Sequence, residues 1–254
     1  ECVGEIVDPS DSTFHIGQRV IGMMGGMGRN FNGSYAEYVL LPSHHVFLTQ
    51  SSLPWDKLAA IPETYFTAWG SLFEALCLSP DDTLLVRGAT CALGYAAIQF
   101  AKALGCKVAA TTHRESKRPI LERMDVEWVL LDEGKLHGRI SGISKALELV
   151  GPKTLRDTLT CVANHGVVCS TGILGGINSL NNFDPIKEIP NGVYLTGFFS
   201  NNPTQKAIDN MFQYIEEKHI SPQIGRIYSF MEIAQACWDI DNGETNGKIV
   251  LGSV

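Results

Sequence analysis

The chain has 254 residues, of which 44% are hydrophobic and 19% charged, and this balance excludes an intrinsically disordered protein. The formal net charge is −7 and the 20 basic residues are scattered along the chain, so we expect no binding to nucleic acid or to a membrane surface. No apolar run reaches the ~18 residues that a membrane-spanning helix requires.

Residues 1–50 have the pattern of a β-rich segment. The run Val20–Met24 is apolar, residues 25–33 form a glycine-rich loop, and Tyr35–Leu41 alternates weakly before Pro42. We therefore expect a strand on either side of the loop. A short helix is expected over residues 54–60, between two prolines.

From residue 64 onwards the pattern changes to strands that alternate with helices. After a predicted helix over 67–78, six short apolar runs recur, with helical stretches between several of them. This alternation predicts an α/β fold, a doubly wound parallel six-stranded Rossmann sheet. The six runs are 84–86, 108–110, 128–131, 146–150, 167–169 and 193–199, and the helical stretches are 93–104, 117–124 and 154–163.

The chain after residue 200 has a different pattern. Residues 205–218 form an amphipathic helix with Ile208, Met211, Phe212 and Ile215 on one face. A second helix is predicted over 231–240 and a closing strand over 248–251.

The first run of the alternating region leads into a glycine-containing turn and then a helix. Gly88 allows the turn, Gly94 allows close packing of helix on strand, and the amides at the helix start attract a pyrophosphate. The spacing is G-x-x-C-x-x-G rather than G-x-G-x-x-G, and an ordinary turn between strand and helix is the alternative. The predicted cofactor-binding residues of this loop are Gly88, Ala89, Thr90, Cys91, Ala92 and Leu93.

A polar and basic turn follows the second run. An NAD site usually has an acidic residue there, whereas a 2′-phosphate requires cations and hydrogen-bond donors. Glu115 is present but lies among basic residues. The turn therefore favours NADPH as the cofactor, and a solvated basic turn is the alternative. The predicted 2′-phosphate site comprises Thr112, His113, Arg114 and Lys117.

Several motifs together resemble the medium-chain dehydrogenase/reductase superfamily, and in particular its zinc-free, NADPH-dependent quinone oxidoreductase branch. They occur in the family's order and cover essentially the whole chain. The motifs are Gly17–Val20, Gly33–Tyr38, Ala60–Trp69, the loop 87–94 with the helix 96–105, and Gly247–Val250.

The resemblance implies two domains. Residues 64–200 would bind NADP, and residues 1–63 with 201–254 would form a smaller β-rich, GroES-like catalytic domain. It also implies that a front segment of the catalytic domain is missing before Glu1. A homodimer is expected through the sixth strand, Val193–Phe198. Further cofactor contacts are implied at Thr67, Val150, Gly172, Ile173, Leu174, Phe198, Phe199 and Ser200.

The sequence predicts no metal site. Where zinc-bearing relatives have a cysteine ligand, this chain has Glu63, and residues 22–35 contain no cysteine for a four-cysteine lobe. The histidines show no H-x-x-x-H spacing. The seven cysteines form no C-x-x-C pair, which predicts mostly buried free thiols in a reducing, cytoplasmic protein.

The resemblance implies an enzyme that passes a hydride from NADPH to a small molecule, a quinone or an α,β-unsaturated carbonyl (enone). Tyr65 and Glu63 lie near the expected cleft in sequence, but no proton donor is assigned. Two alternatives remain open. One is a reductase of enoyl thioesters or simple carbonyls, and the other is a non-catalytic NADPH-binding redox sensor or structural subunit.

Overall fold

The computed structural model describes residues 1–252, and the chain divides into two compact units. One unit is Thr67–Phe199, and the other combines Glu1–Phe66 with the residues from Ser200 onwards. The domain limits predicted from the sequence fall close to these unit limits. The roles assigned to the two domains remain predictions.

The unit Thr67–Phe199 contains a parallel six-stranded sheet. Its strands are β4 Thr83–Arg87, β5 Lys107–Thr112, β6 Trp128–Leu131, β7 Ile143–Glu148, β8 Val162–Ser170 and β9 Tyr194–Gly197. Their order in the sheet is β6-β5-β4-β7-β8-β9, which confirms the predicted doubly wound Rossmann sheet. Each of the six predicted runs overlaps one strand, but the runs 146–150 and 193–199 extend past the ends of β7 and β9.

The central strands of this sheet carry buried apolar residues because helices cover the sheet. Leu85, Ala109 and Ala146 are fully buried in one core cluster with Leu155 and Leu159. The strand order changes direction between β4 and β7, which is the position where such sheets bind ligands. The helices of the unit are α3 Ala92–Leu104, α4 Arg118–Glu122, α5 Pro152–Leu159 and α6 Pro185–Glu188.

Two of the predicted helices have different ends in the structure. The helix predicted over 154–163 ends at Leu159, because Val162 already belongs to β8 and pairs with Ile143. The helix predicted over 67–78 begins earlier, as α2 Pro62–Trp69, and continues as a π-helical segment over Gly70–Ala75. Proline is favoured in the first turn of a helix, which accounts for the early start.

The other unit contains a three-stranded antiparallel sheet in the order β1-β2-β3 and a parallel pair, β10 with β11. The amphipathic helix predicted after residue 200 is confirmed, with its four apolar side chains buried. The elements are β1 Cys2–Glu5, β2 Arg19–Gly22, β3 Val46–Leu48, α1 Trp55–Ala59, α7 Gln205–Glu217, β10 Ile224–Tyr228, α8 Ile233–Asp241 and β11 Lys248–Leu251.

The prediction of a strand over residues 35–41 is wrong. These residues form bends and irregular backbone, and Tyr35, Tyr38 and Leu40 are 61%, 74% and 86% exposed. A weak alternation forms a strand only where a neighbouring strand can pair with it, and within residues 1–252 none does so. None of the helices in the same residues is both long enough and apolar enough to cross a membrane.

Candidate functional site

The turn after β4 has the backbone conformation that the sequence analysis required of Gly88. Its φ is +80°, a value that side-chain-bearing residues rarely adopt. The Gly88 amide donates to the Thr111 hydroxyl at 3.0 Å, and the Ala89 amide donates to the Thr111 carbonyl at 2.9 Å. The loop is therefore attached to the neighbouring strand β5 at its first two residues.

Helix α3 begins directly after this loop, close to its backbone. A Cβ on Gly94 would lie 2.3 Å from the Ala89 carbonyl oxygen, so only glycine fits at this position. Cys91 caps the helix, and its Sγ accepts from the Gly94 amide at 3.3 Å. Burial raises the pKa of the Cys91 thiol, so it stays protonated at neutral pH. The small-residue loop and the positive end of a 13-residue helix fit a pyrophosphate.

The end of β5 and the turn after it contain the residues that were predicted to contact a 2′-phosphate. Thr112 is buried, and its hydroxyl lies 3.2 Å from the Thr90 hydroxyl and accepts from the Arg114 amide at 3.2 Å. His113 and Arg114 are exposed and Lys117 is half-buried. Partial burial and the cations of Arg114 and Lys117 lower the pKa of His113. The structure therefore brings the predicted cations together near the loop after β4.

The turns after β7 and β8 lie beside this loop on the other side of β4. A Cβ on Gly88 would lie 3.0 Å from Val150 Cγ2 and 3.4 Å from Leu174 Cδ1. Ile173 and Leu174 expose 57% and 61% of their surface at the carboxyl edge of the sheet. Exposed apolar side chains at this edge can cover a bound ring and exclude water.

The remaining predicted residues lie in different surroundings. The Thr67 carbonyl accepts from the Ser71 hydroxyl at 2.7 Å, and the Phe198 ring lies against the backbone of Gly70. Phe199 is 74% exposed. Ser200 belongs to the other unit, where its hydroxyl lies 3.8 Å from Met24 Sδ. A cofactor contact at any of these positions stays a prediction.

The structure adds a buried ionic network that the sequence analysis missed. Arg87 is fully buried and donates from Nε and Nη2 to both carboxylate oxygens of Asp132, at 2.8 and 3.0 Å. Its Nη1 donates to Asp157 at 2.7 Å and to the Thr158 hydroxyl at 2.9 Å. The signal in the sequence is a single charged residue directly after the apolar run of β4.

Glu148 is the second buried charge of this region and is the partner of Arg87 in the β4–β7 ladder. Burial raises the pKa of Glu148, and hydrogen bonds from the side chain of Thr158 and the amide of Gly151 oppose that rise. The pKa of Asp132 is shifted in the opposite direction. Burial alone would raise its pKa, but the hydrogen bonds and charge of Arg87 hold it below its usual value.

The lowered pKa of Asp132 predicts an acid-sensitive contribution to folding. A carboxylate with a depressed folded-state pKa stabilises the fold above its unfolded value of 3.8, and this contribution is lost as the pH falls through the folded-state value. Asp132→Asn should therefore lower the free energy of unfolding at neutral pH, and its difference from wild type should shrink below pH 3.8. Urea denaturation at a series of pH values measures this difference, and a pH-independent difference would contradict the prediction.

The described part of the chain contains no group of three or more His, Cys, Asp or Glu side chains that could hold a metal ion. Glu63 lies in the first turn of α2, where its amide donates to the Glu1 carboxylate at 2.7 Å.

All seven cysteines are free thiols. The expectation that most are buried is wrong, because only Cys106, Cys161 and Cys169 are, whereas Cys77 is exposed.

A family model described as zinc-binding dehydrogenase matches residues 92–217. Human quinone oxidoreductase is 28% identical over 256 residues, a match that covers 97% of this chain and 76% of the relative. Bovine quinone oxidoreductase-like protein 2 is also 28% identical, with 94% and 71% covered.

Two solved structures illustrate the similarity of fold. YhdH of E. coli K-12, solved with bound NADPH, superposes with a TM-score of 0.85 at 24% identity, covering 98% of this chain and 79% of that one. YhfP of Bacillus subtilis, solved with NAD bound, superposes equally well at 23% identity, covering 99% and 79%. At these identities the likeness establishes the fold.

Proposed function

Because the chain belongs to the medium-chain dehydrogenase/reductase superfamily, in its quinone oxidoreductase-like branch, we propose that it reduces quinones or α,β-unsaturated carbonyls with NADPH. The observation that carries this proposal is the loop Gly88–Leu93 at the switch point of the sheet, with Gly94 packed against its backbone. The quinone oxidoreductases among the relatives support the substrate class.

The choice of NADPH rests on the turn after β5. Thr112, His113, Arg114 and Lys117 offer cations and donors, and the structural neighbours include one solved with NADPH and one with NAD. A doubly charged 2′-phosphate gains charge-assisted hydrogen bonds from such a cluster, whereas a 2′-hydroxyl gains little. We therefore propose selectivity for NADPH over NADH.

Bound NADPH would supply the hydride, so the protein has to position the two reactants and exclude water. The loop Gly88–Leu93 and the cluster after β5 would hold the phosphates. The apolar side chains of Ile173 and Leu174, in the turn after β8, would line the ring. Since Glu63 occupies the position of a zinc ligand in zinc-bearing relatives, we propose that the reaction proceeds without zinc.

We also propose that two copies associate through β9. It is an edge strand of the sheet, and Tyr194 on it is 56% exposed. An exposed edge strand presents unpaired backbone groups that a symmetry-related strand can satisfy. Light scattering coupled to gel filtration would give the mass of a dimer, and Tyr194→Lys should lower it to that of a monomer.

The selectivity proposal predicts different effects on two cofactors. Arg114→Ala combined with Lys117→Ala should weaken NADPH binding by about 100-fold and leave NADH binding within about two-fold, because NADPH loses two cations beside its 2′-phosphate, a group that NADH lacks. Calorimetric titration with each cofactor measures this. Arg118→Ala is the control, since Arg118 pairs with Glu122 at 3.0 Å instead. Equal losses for the two cofactors would contradict the assignment.

The substrate class is tested by the loss of NADPH absorbance with a quinone, an enone, an enoyl-CoA thioester and a simple ketone. We expect turnover with the quinone or the enone and little with the other two. Preferred turnover of the thioester or the ketone would contradict the proposed substrate class and favour a reductase of thioesters or simple carbonyls. Tight NADPH binding without turnover of any of the four would favour a binding protein over an enzyme.

A further inference from the structure

Glu148 holds the turn that follows its own strand. Its Oε1 accepts hydrogen bonds from the backbone amides of Val150, at 2.7 Å, and Gly151, at 2.9 Å. Its Oε2 accepts from the Thr154 hydroxyl at 3.0 Å. The side chain is completely buried beside Arg87. A carboxylate with this many donors is held in one orientation, and so are the amides that it binds.

The main chain of Glu148 holds a second turn. Its carbonyl oxygen accepts from the amides of Thr171, at 3.1 Å, and Gly172, at 3.2 Å, just after β8. The two turns also touch each other, because a Cβ on Gly151 would lie 2.5 Å from the Gly172 carbonyl oxygen. One residue therefore organises both turns at the carboxyl edge beyond β4.

The position of these turns indicates which end of the cofactor they face. In a doubly wound sheet the pyrophosphate lies at the loop after the first strand, and the adenosine lies over the next strand outwards on one side. Here these are β4 and β5. The turns after β7 and β8 lie on the opposite side of β4, where the nicotinamide riboside would be held.

We propose that Glu148 is a positioning residue for the nicotinamide half of NADPH, an inference that rests on the proposed function. It acts through the Val150 and Gly151 amides rather than by touching the cofactor. Removing its charge would weaken the charge-assisted hydrogen bonds from these amides and would let the turn shift. The adenosine half, held by the loop after β4 and the turn after β5, would not be affected.

Asp157 provides a matched control within the same network. Its carboxylate accepts from Arg87 at 2.7 Å and from the amides of Leu136 and His137, at 2.7 and 3.3 Å. Across residues 1–252, its side-chain hydrogen bonds do not extend to Val150 or Gly151. A substitution at Asp157 thus disturbs the network and the stability without releasing the turn.

The experiment compares Glu148→Gln with Asp157→Asn in the full chain. Calorimetry measures binding of NADPH and of 2′,5′-ADP, which contains only the adenosine half with its phosphates. Glu148→Gln should weaken NADPH binding by about 10-fold and leave 2′,5′-ADP binding within about two-fold. Asp157→Asn should lower the denaturation midpoint in urea and leave both affinities within about two-fold.

Three results would overturn this inference without affecting the proposed function. The first is unchanged NADPH binding by Glu148→Gln, and the second is an equal loss of affinity for both ligands in that variant. The third is a loss of NADPH affinity in Asp157→Asn as large as that in Glu148→Gln. A wild-type protein that binds neither ligand would instead overturn the proposed function. If Glu148→Gln does not fold, Thr154→Val replaces it, because this substitution removes one donor to the carboxylate. Thr154→Val should weaken NADPH binding by less than the 10-fold expected for Glu148→Gln, but still by more than it weakens 2′,5′-ADP binding.

Discussion

Gly94→Ala is expected to abolish measurable NADPH binding and to lower the free energy of unfolding by about 3 kcal/mol. The added methyl group would lie 2.3 Å from the carbonyl oxygen and 2.7 Å from the Cα of Ala89. These are backbone atoms of the loop after β4, so no side-chain rotation can relieve the contact. Either the helix moves away from the strand or the loop changes shape, and both would disturb the proposed pyrophosphate site.

The effect is measured by urea denaturation and by titration with NADPH under conditions where the variant is folded. Gly4→Ala is the control, because a Cβ on Gly4 meets nothing within 4 Å. It should change neither the unfolding free energy nor the affinity appreciably. A Gly94→Ala protein that binds NADPH as wild type does would show that the loop does not hold the cofactor.

Arg87→Met is expected to lower the free energy of unfolding by about 3–5 kcal/mol, the cost of removing one partner from a buried ion pair. The substitution would leave the carboxylate of Asp132, 7% exposed, and that of Asp157, 17% exposed, without their cation. Methionine fills much of the same volume, so the loss is mainly electrostatic. Arg87→Lys keeps the charge but lacks the two separate nitrogens that bind the two oxygens of Asp132, and an intermediate loss is expected.

Denaturation midpoints of the two variants test this account. Arg156→Ala is the surface comparison, because Arg156 pairs with Glu188 while remaining 46% exposed. It should change the midpoint only slightly, since water screens exposed pairs. Equal losses at Arg87 and Arg156 would mean that burial of the network contributes nothing to its strength.

Local patterns predicted the architecture of the sheet well, and they did so for physical reasons. The runs that became β4, β5 and β7 are apolar because both faces of a central parallel strand are covered. Gly88 and Gly94 were assigned from the turn and the close packing they permit, and the structure has both features. The strand over 35–41 failed because alternation cannot reveal whether a neighbouring strand exists.

The buried network could not be predicted in the same way. Arg87 lies 45 residues before Asp132 and 70 residues before Asp157 in the chain, and the fold brings these side chains together. Glu148 lies in an apolar run where a strand ends, and nothing in its sequence neighbours indicates that it binds two backbone amides. Long-range pairing, rather than local propensity, determined this part of the site.

Amide hydrogen exchange with and without NADPH tests whether the carboxyl edge of the sheet binds the cofactor across β4. We expect slower exchange on NADPH addition in three segments, 88–94, 112–117 and 148–151. Unchanged exchange at saturating NADPH, or protection confined to segments outside this edge, would contradict it.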